Sequence, residues 1–177
     1  ATDNGGRWAP DGKSIFFLST RSGSTQVWRI PLAGGEPVRV TDLPLDVANL
    51  SISPDGKLLA FSLEVFPDCA DVACTAERLE ARAAAQATGR LFEALPIRHW
   101  DSWRDGRRHH IFVMPLGGGA PVDLMKGMDA DSPTRPFGGS EDFAFTPDSK
   151  GVVFSAKEVG REEAWSTNLD IWVAPLD

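Results

Sequence analysis

The stretch WAPDGKSIFFLS (residues 8–19) recurs in form as ISPDGKLLAFS (52–62) and FTPDSKGVVFS (145–155). Each copy places a Pro-Asp-(Gly/Ser)-Lys core between two apolar runs. Proline and aspartate favour a tight turn, and glycine adopts the positive φ that a hairpin turn requires. The repeat therefore predicts three β-hairpins of one kind. Ser149 stands where the first two copies have glycine, so we expect a different turn type in the third.

A second repeated segment follows each hairpin. It reads VWRIPLAGGEPVRVT (27–41), IFVMPLGGGAPVDLM (111–125) and, without its last strand, LDIWVAPLD (169–177). The glycines of this segment predict another hairpin turn, so a complete unit has four strands. Repeats at this spacing are typical of propellers and solenoids, and a four-stranded unit is a propeller blade. The predicted fold class is all-β: a fragment of a β-propeller of about two and three-quarter blades with one helical insertion.

β-Branched and aromatic residues mark the predicted strands. Packed blades bury both faces of each sheet, so continuous apolar runs such as IFFL fit this fold better than strict alternation. The clearest strand segments are 15–19, 27–30, 58–62, 111–114, 152–155 and 171–173. The predicted boundaries are residues 8–41 for blade one, 47–125 for blade two and 140–177 for a partial blade three.

The number of blades is too small for a closed propeller. Closed propellers have about four to eight blades, and stacked units need neighbours to cover their apolar faces. We therefore expect the 177 residues to be a partial N-terminal propeller whose main partner is the remainder of the same polypeptide. Unpaired sheet edges bind other strands. We expect the edges near Trp8 and Asp177 to meet such strands, including those of another copy in a homo-oligomer.

Charge and hydropathy exclude two classes of partner. The formal net charge is −7 and the pI is about 4.9, whereas nucleic acids and anionic membrane surfaces select clustered Lys and Arg. No apolar run approaches the roughly 18 residues that a membrane span needs. We therefore expect no nucleic-acid partner and no membrane partner.

Cys69 and Cys74 flank a short CADVAC segment. Zinc sites usually have four ligands, and no second Cys or His pair has a matching spacing, so no metal site is predicted. The two cysteines could be free thiols. We favour a disulfide between them, because closing this loop would stabilise the fold by about 2 kcal/mol in the chain-entropy model. A disulfide indicates a periplasmic or secreted protein.

A long insertion interrupts blade two at residues 64–109, where blade one needs only residues 20–26. Insertions of this length are usually functional or disordered. Thr75 is the expected N-cap of a helix over residues 76–88, with Gly89 as its stop. The alanine-rich apolar stripe of this helix suits packing against a blade or a partner domain. The alternative is a surface helix without a packing role.

The insertion ends in LPIRHWDSWRDGRRHHIFVMP (95–115), which contains Trp-Asp-x-Trp-x-Asp-Gly. Together with the cysteine-bearing insertion and EDFAFTPDSKGVVFSA (141–156), this segment resembles the propeller domain of the prolyl oligopeptidase family of serine peptidases. The most similar branch contains bacterial dipeptidyl peptidase V and acylaminoacyl peptidase. The resemblance covers the whole chain. It implies a propeller of seven or eight blades that caps a C-terminal α/β-hydrolase domain and restricts entry to short peptides.

The resemblance places the catalytic residues outside this chain. The Ser, Asp and His triad of the family belongs to the hydrolase domain, and GGSED (138–142) lacks the final glycine of a Gly-x-Ser-x-Gly elbow. The sequence contains no nucleophile motif that a histidine could activate, so no catalytic role is predicted for His99, His109 or His110. We therefore expect no catalytic residue and no cofactor here, and a chain that is inert by itself. His109 and His110 alternate across a strand, so they are not expected to share a metal.

The resemblance also implies acidic propeller residues that hold the free amino group of a peptide, because a carboxylate binds an ammonium group strongly in a partly dry cavity. The candidates are Glu64, Asp101, Glu141 and Asp142. An ion pair with Arg98 or Arg104 is the alternative role for Asp101, and a solvated loop position is the alternative for the last two. Trp100 and Trp103 are interpreted as packing residues.

Two functions are compatible with these features. The first is the propeller portion of a secreted serine exopeptidase, either dipeptidyl or acylaminoacyl, which caps the active site and filters peptide substrates. The second is a TolB-like periplasmic propeller that binds proteins and has no enzymatic activity, because such propellers share the PDGK repeats. A hydrolase domain in the same polypeptide would distinguish the first function from the second.

Overall fold

The computed structural model describes residues 1–93, 95, 97–99 and 101–176. Its first four strands form an antiparallel sheet in sequential order, which is blade one. They are β1 (Asp3–Trp8), β2 (Ser14–Ser19), β3 (Gln26–Pro31) and β4 (Val38–Arg39). Each hairpin connects neighbouring strands, as expected for a blade.

Blade two is a four-stranded antiparallel sheet with the insertion between its second and third strands. The sheet contains β5 (Ala48–Ile52), β6 (Leu58–Val65), β9 (Arg108–Pro115) and β10 (Val122–Asp123). The insertion contains helix α1 (Val72–Ala84) and a small hairpin of β7 (Arg98–His99) and β8 (Ser102–Trp103). Among the described residues, no helix is long and apolar enough to cross a membrane.

Blade three has three strands in sequential order. They are β11 (Phe143–Phe145), β12 (Gly151–Ala156) and β13 (Asp170–Pro175), with a 3₁₀ helix (Gly160–Ala164) between the last two. All six strand segments predicted from composition lie inside observed strands. The all-β class, the partial propeller and the single helical insertion are confirmed.

Strand β6 is buried on both faces, as the blade stacking predicts. Leu59, Phe61 and Leu63 belong to the apolar cluster shared with blade one, whereas Ala60 belongs to the cluster shared with blade three. Alternate residues of a strand point to opposite faces, so its continuous apolar run fills two interfaces. In the described part of the chain no sheet covers the other face of blade one, where Ile15 is only half-buried.

The three Pro-Asp turns have one geometry, so the expectation of a different third turn is wrong. Ser149 has φ 61°, close to the 66° of Gly12 and the 71° of Gly56. Positive φ costs a non-glycine residue about 1 kcal/mol. Ser149 Oγ accepts a hydrogen bond from the Asp55 backbone N–H at 3.1 Å. We attribute the tolerance of the strained φ to this bond between blades.

Two substitutions at position 149 separate these effects. Ser149→Ala removes the bond to Asp55 and keeps the strained φ, so we expect it to lower the free energy of unfolding by about 1 kcal/mol. Ser149→Gly removes the same bond but relieves the strain, so we expect a change near zero. Urea denaturation measures both. Equal losses in the two variants would contradict the strain argument.

The insertion helix begins four residues before the predicted start. Asp71, not Thr75, is the N-cap, and its Oδ1 accepts a hydrogen bond from the Cys74 backbone N–H at 2.9 Å. Thr75 is buried inside the helix, where its Oγ1 accepts from the Phe66 backbone N–H at 3.2 Å. Cys69 and Cys74 form the expected disulfide. The Asp71 cap and the disulfide therefore both lie at the start of this helix.

The same helix ends at Ala84 and not at residue 88, so Gly89 is not its stop. Residues 81–90 are exposed on every side, and helices in proteins depend on tertiary packing more than on propensity. The extra turn therefore has nothing to pack against. Closer to its start, Val72, Ala76 and Leu79 pack on the apolar cluster between blades one and two. The helix is thus anchored to a blade, as one of the two interpretations predicted.

Candidate functional site

The links between second and third strands of blades two and three meet at one end of the fold. In blade two this link is the insertion between β6 and β9, and in blade three it is the segment between β12 and β13. Arg104 from the first link donates from Nη1 to Oε2 of Glu163 from the second at 2.8 Å. Charged side chains from two blades therefore form one site.

Glu64 lies near the end of β6, directly opposite His109 on β9. Its Oε1 is 3.0 Å from His109 Nε2, and its Oε2 is 2.9 Å from Arg107 Nη1. Arg135, from the loop that follows blade two, donates from Nη2 to the same Oε1. One carboxylate therefore has three cationic or polar partners from two segments of the chain.

Arg108 forms the buried centre of the neighbouring group, with 9% of its side chain exposed. Its Nε donates to Asp129 Oδ1 at 2.7 Å, Nη1 to Asp131 Oδ2 at 2.9 Å and Nη2 to Glu163 Oε2 at 2.9 Å. Arg135 Nε donates to Asp131 Oδ1 at 3.1 Å. Because Arg135 also contacts the Glu64 carboxylate, the two groups form one ionic network.

The network keeps both glutamates ionised. The hydrogen bond from His109, aided by the charges of Arg107 and Arg135, lowers the pKa of Glu64 to about 2 against the effect of burial. Burial raises the pKa of Glu163, but the hydrogen bonds from Arg104 and Arg108 outweigh it and lower that pKa to about 2. Both carboxylates therefore carry a full negative charge at neutral and mildly acidic pH.

Two polar clefts open on the network. The first, the Glu64 cleft, has a volume of about 280 Å³. It is lined by Glu64, Trp103, Arg104, Asp105, Arg107 and Arg135, together with Ser102. The second, the Lys157 cleft, has a volume of about 190 Å³ and lies on the blade-three side. Lys157, Glu163, Asp131 and Thr134 line it. Arg135 lines both clefts, so it forms part of the wall between them.

Of the four acidic candidates, all of them described residues, Glu64 lines one of these two clefts and the other three line neither. Asp142 accepts hydrogen bonds from the N–H and the Oγ1 of Thr134, both at 2.7 Å, and so holds the loop that carries Arg135. Glu141 is an exposed loop residue. Asp101 lies exposed in the turn between β7 and β8.

The insertion hairpin places its side chains differently from the expected pairs. Arg104 bonds Glu163, and Asp101 accepts a long bond of 3.4 Å from Ser102 Oγ. The ring of Trp103 stacks on Phe92 with 5.5 Å between ring centroids, so a packing role is observed for this tryptophan. Trp100 lies outside the described residues.

His109 and His110 point to opposite faces of β9, as predicted. His110 is fully buried, with Nδ1 2.9 Å from Asp123 Oδ2 and Nε2 3.1 Å from the Met128 carbonyl oxygen. His109 contacts Glu64 on the other face. Within residues 1–93, 95, 97–99 and 101–176, no three His, Cys, Asp or Glu side chains are grouped so that they could hold a metal ion.

The sequence reasoning missed Arg108, Asp131 and Glu163, which form the buried half of the network. A usable signal was present for Glu163. Alignment of the repeats places the second-to-third-strand links of neighbouring blades at the same end, and the short link of blade three contains two consecutive glutamates. Comparing the links, and not only the turns, would have placed these acids beside the insertion.

No protein-family model matches the chain. The sequence is nevertheless 32% identical over 176 residues to dipeptidyl-peptidase 5 of Porphyromonas endodontalis, and 28% identical over 181 residues to dipeptidyl-peptidase 5 of Porphyromonas gingivalis. Each match covers 96% of this chain and 24% of the relative. The chain thus spans about a quarter of the length of these curated relatives.

Solved structures with similar folds are also propeller proteins. The acylaminoacyl peptidase of Pyrococcus horikoshii superposes with a TM-score of 0.61 at 15% identity, covering 97% of this chain and 23% of the other. TolB of Acinetobacter baumannii superposes with a TM-score of 0.51 at 17% identity, covering 99% and 32%. These structural likenesses support the fold alone. The predicted resemblance is confirmed to this extent: the chain is similar over 96% of its length to proteins named dipeptidyl-peptidase 5, and it has the fold of a partial β-propeller.

Proposed function

We propose that this chain is part of a secreted serine exopeptidase, in which the propeller caps the active site and filters short peptides. The catalytic triad then belongs to an α/β-hydrolase domain in the remainder of the same polypeptide. The activity would be that of a dipeptidyl or an acylaminoacyl peptidase. The relatives named dipeptidyl-peptidase 5 favour the first, since they match 96% of the chain.

Uncovered apolar surface supports the presence of a remainder. Ile171 and Val173 of β13 are 79% and 64% exposed, and both lie on the face of blade three opposite the cluster shared with blade two. In blades one and two the third strand pairs with a fourth, whereas within the described residues β13 pairs only with β12. Such a face and such an edge require further strands. We propose that following blades, or another copy, supply them.

The observation that carries the proposal is the ionised Glu64 carboxylate in a polar cleft beside a long blade insertion. Its side chain is 35% exposed, so a ligand can reach it. A peptide with a free amino terminus presents an ammonium group that such a carboxylate can bind. Glu163 lines the neighbouring Lys157 cleft and offers a second ionised carboxylate. The disulfide in the insertion supports export.

A fluorophosphonate probe tests the catalytic half of the proposal. We expect the full-length gene product to be labelled at a serine outside these 177 residues, because a triad serine is activated for attack on the probe. We expect the isolated chain to remain unlabelled. Absence of labelling in the full-length product would instead favour the TolB-like alternative, a propeller that binds proteins without enzymatic activity.

Glu64→Gln tests the amine anchor. We expect it to raise KM about tenfold for dipeptidyl substrates with a free amino group, because a charged hydrogen bond is worth about 1.5–3 kcal/mol. The substrates are chosen without acidic side chains, and hydrolysis of their acetylated forms should not change. Glu77→Gln, on the exposed side of the insertion helix, is the matched control. An equal KM increase for both substrate forms would argue against an anchor at Glu64.

A further inference from the structure

The Glu64 cleft carries more positive than negative charge. Three arginines line it, Arg104, Arg107 and Arg135, against the two carboxylates of Glu64 and Asp105. Three positive and two negative groups leave a formal charge of +1, in a chain whose net charge is −7. A cleft that served only to hold an ammonium group would be expected to have the opposite balance.

Two of these arginines retain N–H groups that no described residue uses. Arg107 directs Nε to Asp105 and Nη1 to Glu64, while Arg135 directs Nε to Asp131 and Nη2 to Glu64. Within the described part of the chain, Arg107 Nη2 and Arg135 Nη1 have no hydrogen-bond partner, and neither atom is buried. Both nitrogens are therefore free to donate to a ligand.

Neighbouring carboxylates hold these arginines in place. Asp105 accepts from the backbone N–H of Arg107 at 3.0 Å and from its Nε at 2.8 Å, which holds the backbone and the guanidinium group of this residue together. Arg135 is held between Asp131 and Glu64. A guanidinium that is already oriented loses little conformational entropy when it binds a ligand. The cleft thus presents oriented donors.

The rim of the cleft adds an apolar wall and further positive charge. Trp103 is 44% exposed at the cleft and stacks on Phe92. The guanidinium carbons of Arg98 and Arg90 lie 5.3 Å and 5.9 Å from the centroid of the Trp103 ring. Asp101, in the same hairpin, is exposed and does not line the cleft. Anionic ligands are therefore attracted towards the rim.

We propose that the Glu64 cleft contains a carboxylate subsite, formed by Arg107 and Arg135, that binds a peptide carboxylate next to the ammonium contact at Glu64. The ligand is a short peptide that carries both groups. Its carboxylate is either an acidic side chain near the amino terminus or the C-terminal carboxylate of a free dipeptide. In both cases guanidinium–carboxylate pairing supplies the recognition. The ammonium contact rests on the proposed function, while the carboxylate contact rests on the arginines alone.

Binding of matched peptides to the full-length gene product tests this subsite. Calorimetry compares Glu-Ala-Ala-amide with Gln-Ala-Ala-amide, and the free acid Ala-Ala with Ala-Ala-amide. The serine is first blocked with a fluorophosphonate to prevent turnover. We expect the carboxylate member of one pair to bind about tenfold more tightly than its amide partner. The first pair reports a side-chain carboxylate, and the second reports a C-terminal one.

Substitutions then test which residues form the carboxylate subsite. Arg107→Gln should remove the tenfold preference and leave the amide member unchanged, whereas Arg107→Lys should restore part of it by keeping the charge. Arg78→Gln, at a salt bridge between the insertion helix and Asp68 outside the cleft, should retain the preference. Glu64→Gln should tighten binding of N-acetyl-Glu-Ala-amide, because it removes a competing negative charge while the amide oxygen can still accept from Arg135. The subsite therefore predicts that Arg107→Gln weakens and Glu64→Gln tightens the binding of a peptide carboxylate.

Three results would contradict the proposed carboxylate subsite. They are equal affinity for acid and amide in both pairs, no detectable binding of any peptide, and an equal loss for acid and amide in Arg107→Gln. Circular dichroism of each variant establishes that it is folded, and the lysine variant provides the comparison if the glutamine variant is not. Failure of the proposed peptidase function is seen separately, as absence of fluorophosphonate labelling. Calorimetry without the probe still measures the carboxylate preference in that case.

Discussion

Replacing Arg108 with methionine is expected to lower the free energy of unfolding by about 3–5 kcal/mol, as when one partner of a buried ion pair is removed. Methionine preserves much of the side-chain volume, so the loss reports charge more than packing. Asp131 and Glu163, which are 5% and 14% exposed, would each lose a guanidinium partner in a place that water barely reaches. Urea denaturation at pH 7 measures the change.

An exposed arginine provides the control for this experiment. Arg39 pairs with Asp42 on the surface of blade one, with 39% of its side chain exposed, so Arg39→Met should cost less than about 1 kcal/mol. Adding Glu163→Gln to Arg108→Met should recover part of the loss, because it neutralises a buried carboxylate that has lost one of its two guanidinium partners. A cost for Arg108→Met no larger than that of Arg39→Met would contradict a stabilising network.

Acid should unfold this protein through the same network. The pKa of Glu163 is about 2 in the folded state, against a usual value of 4.5. A lowered folded-state pKa contributes stability that is complete above the unfolded-state pKa and is lost as the pH falls. The stability that Glu163 contributes is therefore lost between about pH 4.5 and pH 2. For Glu163 the loss amounts to about 3 kcal/mol.

Glu64 adds to the acid sensitivity in the same pH window, since its folded pKa is also about 2. Its contribution is smaller, because a side chain that is 35% exposed is screened by solvent. Urea denaturation at several pH values between 7 and 2.5 measures the slope. Glu163→Gln should remove most of it, whereas Glu77→Gln should keep the wild-type slope. A slope unchanged by Glu163→Gln would exclude Glu163 as its source.

The fold could be predicted from the sequence because its signals are local and repeated. The Pro-Asp turns, the glycine turns and the apolar strands recur in the same order in each unit, so one correct hairpin implies the others. Strand β6 is an example. Its residues 58–61 are apolar without interruption, and stacking between two blades is what makes both faces of the strand require such residues.

Local rules failed where a residue from another segment decided the outcome. The φ of Ser149 is accompanied by a bond to a backbone N–H of the preceding blade, 94 residues away in sequence. Thr75 has the right chemistry for an N-cap, but its hydroxyl is used by Phe66, and Asp71 caps the helix instead. In both cases the outcome depends on a hydrogen-bond partner that the local sequence does not indicate.

The candidate site was least predictable, because its members are dispersed along the chain. Glu64 was identified as an acid at the start of the insertion, yet its pairing with Arg135 depends on the path of a loop that no repeat describes. Ion pairs have no sequence period, so pattern reading cannot place them. Only the alignment of blade links, which brings Glu163 beside the insertion, would have narrowed the search.

The Pro-Asp turns of successive blades lie against one another. A Cβ on Gly56 would lie 3.6 Å from Pro10 Cγ of the preceding blade, whereas Ser149 bonds the turn before it through a hydroxyl. The first two turns share the sequence Pro-Asp-Gly-Lys, whereas the third differs at Ser149, the residue that bonds the neighbouring turn. The one difference among the three turns therefore lies at a contact between blades. A duplication or shuffling of blades during evolution would have to re-match these turns before the array packed again.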